Sequence, residues 1–179
     1  ASPLHRISAR LKGALPAPVF SAARKLGNLA LAPILQSVYT GHARSALAGR
    51  AVDRRGRPTT WYTLPANDFL AAKDLRGRTV LELGGGQSTL WWADRVGPQG
   101  RVVCLEADPA WKDELAGKIP GNVELYLCRG FADLEAALGG RRFDLVIIDG
   151  LDVPALGRLA CARRAQDWLR PGGAVLLDN

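Results

Sequence analysis

From Pro65 onward, short continuous apolar runs alternate with stretches whose apolar residues recur every three or four positions. The runs predict strands at Thr79–Leu83, Arg101–Glu106, Val123–Leu127, Phe143–Asp149 and Ala174–Asp178. The periodic stretches predict helices at Ala66–Lys73, Ser88–Val96, Ala110–Lys118, Ala132–Leu138 and Ala155–Leu169. Runs such as LVII, apolar without a break, suit strands covered on both faces, as a parallel sheet requires. Residues 4 to 50 differ: rich in Ala, Leu and Arg, they predict several short helices separated by Pro16, Pro18, Pro33, Gly41 and Gly49.

Right-handed crossovers between such strands give an α/β fold, a doubly wound, mostly parallel Rossmann-like sheet with an N-terminal helical extension. Two units are expected, a basic helical N-terminal extension at 1–60 and a core at 61–179. The stretch VDRRGRPTT, 52 to 60, reads as a linker or a loop lying over that core. Trp61 to Leu64 is expected to be ordered against the core, because two aromatics seldom sit free in a linker.

The ligand crevice of a doubly wound sheet lies at the carboxyl ends of its strands, and acids or polar groups collect there. The first strand ends at Glu82 with Gly84, Gly85 and Gly86, the second at Glu106, the third at Cys128 to Gly130, the fourth at Asp149, and the fifth at Asp178 and Asn179. A glycine turn opening a helix lets backbone amides approach a small polar ligand. The alternative is a tight connection with its glycines for packing only. A carboxylate at Glu106 offers the two acceptors that a ribose diol requires.

Composition narrows the class. The chain of 179 residues is 47% hydrophobic and 23% charged, as expected of a globular domain with a core. No membrane span is expected, since the most apolar early stretch, Leu29 to Leu35, is interrupted by Pro33. Arg6, Arg10 and Lys12 break up the N-terminus before a signal peptide could form, so the cytoplasm is the expected compartment. Cys104, Cys128 and Cys161 are far apart and argue against a disulfide framework or a zinc site. There is no methionine, so the chain is expected to be processed, trimmed or incomplete at its start.

The net charge of +7 is divided unevenly. Residues 1 to 60 carry ten Lys/Arg against Asp53, and residues 61 to 179 carry fourteen against sixteen acids. A basic arm of this kind could meet phosphate, an anionic membrane surface or an acidic acceptor, or could serve only as a solvated face.

A nicotinamide site is the first rival for the glycine turn. Its G-x-G-x-x-G fingerprint, started at Gly84 and Gly86, needs glycine at 89, where the chain has Thr89. The acid Glu82 would also repel a pyrophosphate and suits an amine-bearing ligand instead. The segment E-L-G-G-G-Q-S, 82 to 88, resembles the E/D-x-G-x-G-x-G/S motif of class I S-adenosylmethionine-dependent methyltransferases, with Ser88 in the last small position. VVCLEAD, FDLVIIDG and LRPGGAVLLDN extend the resemblance over residues 79 to 179. GRPTTWYTLPANDFL before the first strand further resembles a poorly characterised bacterial subgroup with a W-Y-T-x-P segment.

The resemblance implies roles for individual residues. Gly84 and Gly86 would let the backbone approach the methionyl part of S-adenosylmethionine, with S-adenosylhomocysteine as product, and Glu82 would hold its amino group. Glu106 would bind the ribose, Ala107 and Asp108 would lie near the adenine, and Gly130 and Phe131 would wall its pocket. Asp149 would face donor and acceptor as the candidate base, and Tyr62 and Thr63 would cap the cofactor. Gly85 reads as a turn residue, Asp108 as a helix cap, and Trp91, Trp92 and Trp111 as core.

The implied activity is methyl transfer to a small-molecule or glycan acceptor, on oxygen. No His lies in residues 61 to 179, so His5 and His42 are candidate bases only if the arm folds over the site. The strand-four sequence I-I-D-G-L-D lacks the N/D-P-P-Y/F pattern of base-amino methyltransferases, and no Pro-Cys pair is present, so nucleic-acid methylation loses ground. Asp149, Asp178 and Asn179 also resemble the magnesium ligands of catechol-type O-methyltransferases, without the Lys that closely follows the first of them there. The resembled fold continues past a fifth strand, so either residues beyond Asn179 are missing or the chain departs from the family. The reading from another class is a non-catalytic cofactor-binding partner or membrane-associated module.

Overall fold

The computed structural model describes residues 16–151, 153 and 156–178. Five parallel strands form one sheet in the order β3-β2-β1-β4-β5: β1 Thr79–Leu83, β2 Arg101–Glu106, β3 Val123–Leu127, β4 Phe143–Ile148 and β5 Leu169–Leu177. The helices are α1 Ala17–Thr40, α2 His42–Ala48, α3 Leu64–Ala71, α4 Gln87–Val96, α5 Pro109–Ala116, α6 Phe131–Leu138 and α7 Arg158–Arg164, followed by a 3-10 turn at Ala165–Trp168. The strict alternation from β1 onward is the expected doubly wound, Rossmann-like α/β fold.

The two-residue period of the strands sorts their side chains into two cores. Val80, Val102, Cys104, Leu145 and Ile147 face α3 and α4, where Tyr62, Leu70, Trp92, Ala93 and Val96 cover them. Leu81, Leu83, Val103, Leu105, Val146 and Ile148 face the other way, under Leu134, Leu138, Cys161 and Trp168. Glu82 occupies an inward position between Leu81 and Leu83 and is fully buried. Such a charge-bearing side chain in a core needs a reason other than packing.

Chain order reverses at β1, which pairs with β2 on one side and β4 on the other. The carbonyl of Leu83 accepts hydrogen bonds from both Asp149 and Gly150 N–H, each 3.0 Å. That junction is the topological switch point where doubly wound sheets hold ligands.

Two expectations change and one narrows. One helix, α1, runs through Pro33 where several short helices were expected, and Gly41, at φ 93°, ends it. Pro33 forgoes one helical hydrogen bond, but it and Leu29, four residues earlier, are exposed, so water can serve the freed carbonyl. The expected helix 155–169 is shorter, from Arg158 to a 3-10 turn, and Ala155 lies outside the described residues. Leu169 instead pairs with Phe143 and opens β5, with an irregular register before Ala174 pairs with Leu145, so sheet pairing claims residues that the helical pattern suggested. Segment 52–60, expected as a linker or a loop over the core, is an ordered loop: Val52 bridges Pro58, and Ala51, Val52 and Thr60 are buried. Of the candidate bases on the arm, His42 is exposed on α2, and His5 lies outside the described residues.

At the amino ends of the strands, Asp144 ties β4 to β1. Its carboxylate accepts from Thr79 N–H at 2.7 Å and Thr79 hydroxyl at 2.8 Å, and pairs with Arg170 at 3.0 Å. Burial alone would raise its pKa, but the Thr79 hydrogen bonds with Arg170 and Arg78 lower it below the usual carboxylate value. A lowered folded value adds stability above the unfolded pKa, and this is lost as pH falls through the folded one. Asp144→Ala is expected to cost about 1–3 kcal/mol at pH 7, read by urea denaturation, and the deficit should shrink below about pH 4.

Candidate methyl-donor site

The glycine turn between β1 and α4 stands at the switch point, and its shape comes from contacts on both sides. Gly84 adopts φ 97°, and a Cβ there would lie 2.6 Å from the Gly150 carbonyl oxygen. Only glycine combines that backbone conformation with that approach. A Cβ on Gly85 would lie 2.7 Å from Cys104 Sγ, so this position also excludes a side chain. Around Gly86 there is open space, with Ser88 Oγ 3.9 Å from its would-be Cβ.

Glu82 points from β1 beneath this turn. One carboxylate oxygen accepts from Thr89 Oγ1 at 2.6 Å, and Gly86 N–H donates to the same hydroxyl at 3.0 Å. The other oxygen is buried with no hydrogen-bond partner among the described residues. Burial pushes the carboxyl up to about 7, opposed by the Thr89 and Ser88 hydroxyls and reinforced by the charge of Asp149. A buried acceptor without a donor is costly, and a ligand amine would supply the donor.

Glu106 ends β2 and accepts three backbone N–H groups: Gly85 at 2.9 Å, Ala107 at 2.7 Å and Asp108 at 2.8 Å. A carboxylate has about four acceptor positions, so one stays open for a ligand hydroxyl. Asp108 caps α5 through Ala110 and Trp111 N–H, as its sequence suggested. Asp149 is half-buried at the end of β4, and the last described residue, Asp178, follows β5 beside it, its N–H bonded to Ile148 O. Burial first, and the Asp178 charge second, raise the Asp149 carboxyl, while Arg158 opposes them.

The structure therefore brings Glu82, Gly84, Gly85, Gly86, Ser88, Glu106, Ala107 and Asp149 to one sheet edge. Gly130 and Phe131 stand at the neighbouring end of β3, where Cys128 N–H bonds Glu106 O at 2.8 Å. Phe131 opens α6, and its ring lies under the Arg164 guanidinium. Tyr62 is only 1% exposed, buried in the α4-side core where Trp92 Nε1 donates to its hydroxyl, while Thr63 is exposed at the start of α3. Burial, and then the charge of Glu82, push the Tyr62 phenol upward.

Two readings of the turn are corrected. Gly85 is more than a turn residue, since its N–H binds Glu106 and its carbonyl accepts from Trp111 Nε1 at 2.8 Å. Trp111 is accordingly not core: it is 37% exposed, whereas Trp92 is fully buried and Trp91 half-buried. Thr89, counted in the sequence only as the glycine that a dinucleotide site lacks, is the hydroxyl that links the turn to Glu82. A hydroxyl three residues into a helix, aligned with an acid closing the preceding strand, is the signal that could have identified it.

Comparison with known proteins agrees with this geometry. Residues 81–179 match the family described as "Methyltransferase domain". A catechol O-methyltransferase of Mycobacterium tuberculosis is 36% identical over 118 residues, 62% of this chain and 51% of that protein, so the chain spans about half the length of this curated relative. Among solved structures, a putative O-methyltransferase from Klebsiella pneumoniae superposes with TM-score 0.53 at 28% identity, over 82% of this chain and 65% of that one. A putative rRNA methylase from Clostridium thermocellum shares the fold, with TM-score 0.52 and 20% identity over 65% of this chain and 68% of that one. The chain thus belongs to the methyltransferase domain family and has the fold of class I S-adenosylmethionine-dependent methyltransferases.

Proposed function

We propose that this chain binds S-adenosylmethionine at the glycine turn and transfers its methyl group to an oxygen of a small-molecule or glycan acceptor. Glu82 carries the reading: a fully buried carboxyl with one oxygen unpartnered among the described residues, in a core position, under open backbone at Gly86. Its chemistry suits the amino group of the methionyl part and opposes a pyrophosphate. In this reading Gly84 and Gly86 let the backbone meet the methionyl part, and Ser88 lies beside it. The open acceptor position of Glu106 takes a ribose hydroxyl, and Ala107, Gly130 and Phe131 border the adenine. Tyr62, buried against Trp92, does not cap the cofactor as its sequence position suggested but can only support the core under Glu82. Thr63, exposed at the start of α3, keeps the capping role. Oxygen as the acceptor atom is supported by the names of the relatives, a catechol O-methyltransferase and a putative O-methyltransferase.

The donor supplies an electrophilic methyl on a sulfonium, and the protein aligns acceptor, methyl and sulfur in line. Asp149 would take the proton that the acceptor hydroxyl loses as its oxygen bonds to the methyl and the methyl–sulfur bond breaks, leaving S-adenosylhomocysteine. A carboxyl raised by burial and by Asp178 is a stronger base than an ordinary aspartate. A second reading, a shared hard divalent cation, is favoured by the same pair, since two neighbouring carboxylates repel until something positive lies between them. Among the described residues no three His, Cys, Asp or Glu side chains cluster as a metal site, and Asn179 lies outside them.

Isothermal titration with S-adenosylmethionine and S-adenosylhomocysteine tests the main reading, and absence of binding by both ends it. Because the Glu82 carboxyl is raised to about 7, the ligand-free chain holds a proton there that the unfolded chain releases near pH 4.3. That stabilising contribution is present below the unfolded value and lost as pH rises through about 7. A bound amine favours the carboxylate, so affinity for S-adenosylmethionine should rise about tenfold between pH 5.5 and 7. Glu82→Gln should bind weakly and flatten this profile.

Asp149→Asn should lower kcat by roughly 10²-fold or more with the S-adenosylmethionine Kd within about threefold, measured by methyl release against a metabolite panel. Turnover of no acceptor in that panel, with cofactor binding intact, would favour the non-catalytic module. Excess EDTA should leave turnover unchanged under the base reading. Loss on EDTA and recovery with Mg2+ would establish the cation.

A further inference from the structure

The site leaves α1 unexplained. This helix of 24 residues is about 36 Å long, and none of its described side chains is buried. Leu26 is 67% exposed, Leu29 74% and Ile34 60%, an apolar display that water disfavours. At 100° per residue, Val19, Leu26, Ala30 and Ile34 fall on one side, while Ser21, Lys25 and Asn28 fall on the other. Leu35 and Tyr39 also lie on that second side, so the polar side is confined to the first half of the helix. Although long enough, the helix is not apolar enough to cross a membrane.

Its base is fixed to the body. A Cβ on Gly41 would lie 2.5 Å from the Asp53 backbone, Ser45 Oγ exchanges hydrogen bonds with Val52 N–H and carbonyl, and the Arg54 guanidinium lies over the Tyr39 ring. Residues 1 to 52 contain seven Lys/Arg and no acid. Charge of one sign selects the occupant. A second copy of the helix would bring like charges together, and a nucleic acid would meet the cations but leave the apolar side in water. Anionic lipid satisfies both, with phosphate headgroups for the cations and acyl chains for the leucines.

We propose that α1 is a surface-lying amphipathic helix that docks this chain on anionic membranes. Docking needs neither the cofactor nor the methyl-transfer reaction, so its test stands apart from theirs. The full chain is sedimented with vesicles of phosphatidylcholine containing 30% phosphatidylglycerol, with pure phosphatidylcholine as the comparison. The anionic vesicles are expected to bind the chain at least tenfold more tightly, and 0.5 M NaCl should remove most of that difference. The double variant Leu26→Glu/Ile34→Glu should lose binding at least tenfold while keeping its circular dichroism and thermal midpoint. Equal binding of wild type and variant, or equal binding to both vesicle types, would overturn the proposal. So would concentration-dependent dimerisation, abolished by the same variant, without vesicle binding.

Discussion

Gly84 and Gly150 approach so closely that a methyl group on the first would meet the carbonyl of the second at 2.6 Å. This contact lets the two halves of the sheet join at β1 and β4 with their ends level. Asp149 and Gly150 N–H groups can then share the Leu83 carbonyl. The crevice, its acids and the direction of the helix leaving it all follow from that junction. Were the strand ends splayed by one side chain, Glu82 and Asp149 would no longer stand within electrostatic reach of each other, as they do here.

The parallel core was readable because its elements are short and uniform in character. Strands covered on both faces are largely apolar, and β1, β2 and β3 begin and end where such runs do, with Glu82 and Glu124 as polar positions inside them. Helix limits were less legible, since a boundary depends on which neighbour claims a residue. Leu169 suits the helical period but pairs with Phe143. Pro33 looks like a break, yet an exposed helix tolerates one lost hydrogen bond.

In the site, residue types were more legible than connections. Acids at strand ends and glycines at a turn are visible in sequence, because the chemistry restricts what can stand there. Thr89 and Trp111 were less so, because each acts through a partner outside its own helix: Thr89 through Glu82, Trp111 through the Gly85 carbonyl. A hydroxyl or an indole has many ordinary uses, and only folding selects one.

Gly85 is held through both of its flanking peptide groups, its N–H by Glu106 and its carbonyl by Trp111. Both partners belong to β2 and the helix after it, outside the turn itself. The turn's shape is therefore imposed by a neighbouring strand before any ligand arrives. An incoming molecule need not spend its own contacts ordering a glycine loop, which on its own has more conformational freedom to lose than any other kind. Binding strength at this turn becomes a property of β2 as much as of the glycines, and a substitution on the neighbouring strand could weaken the ligand without touching it.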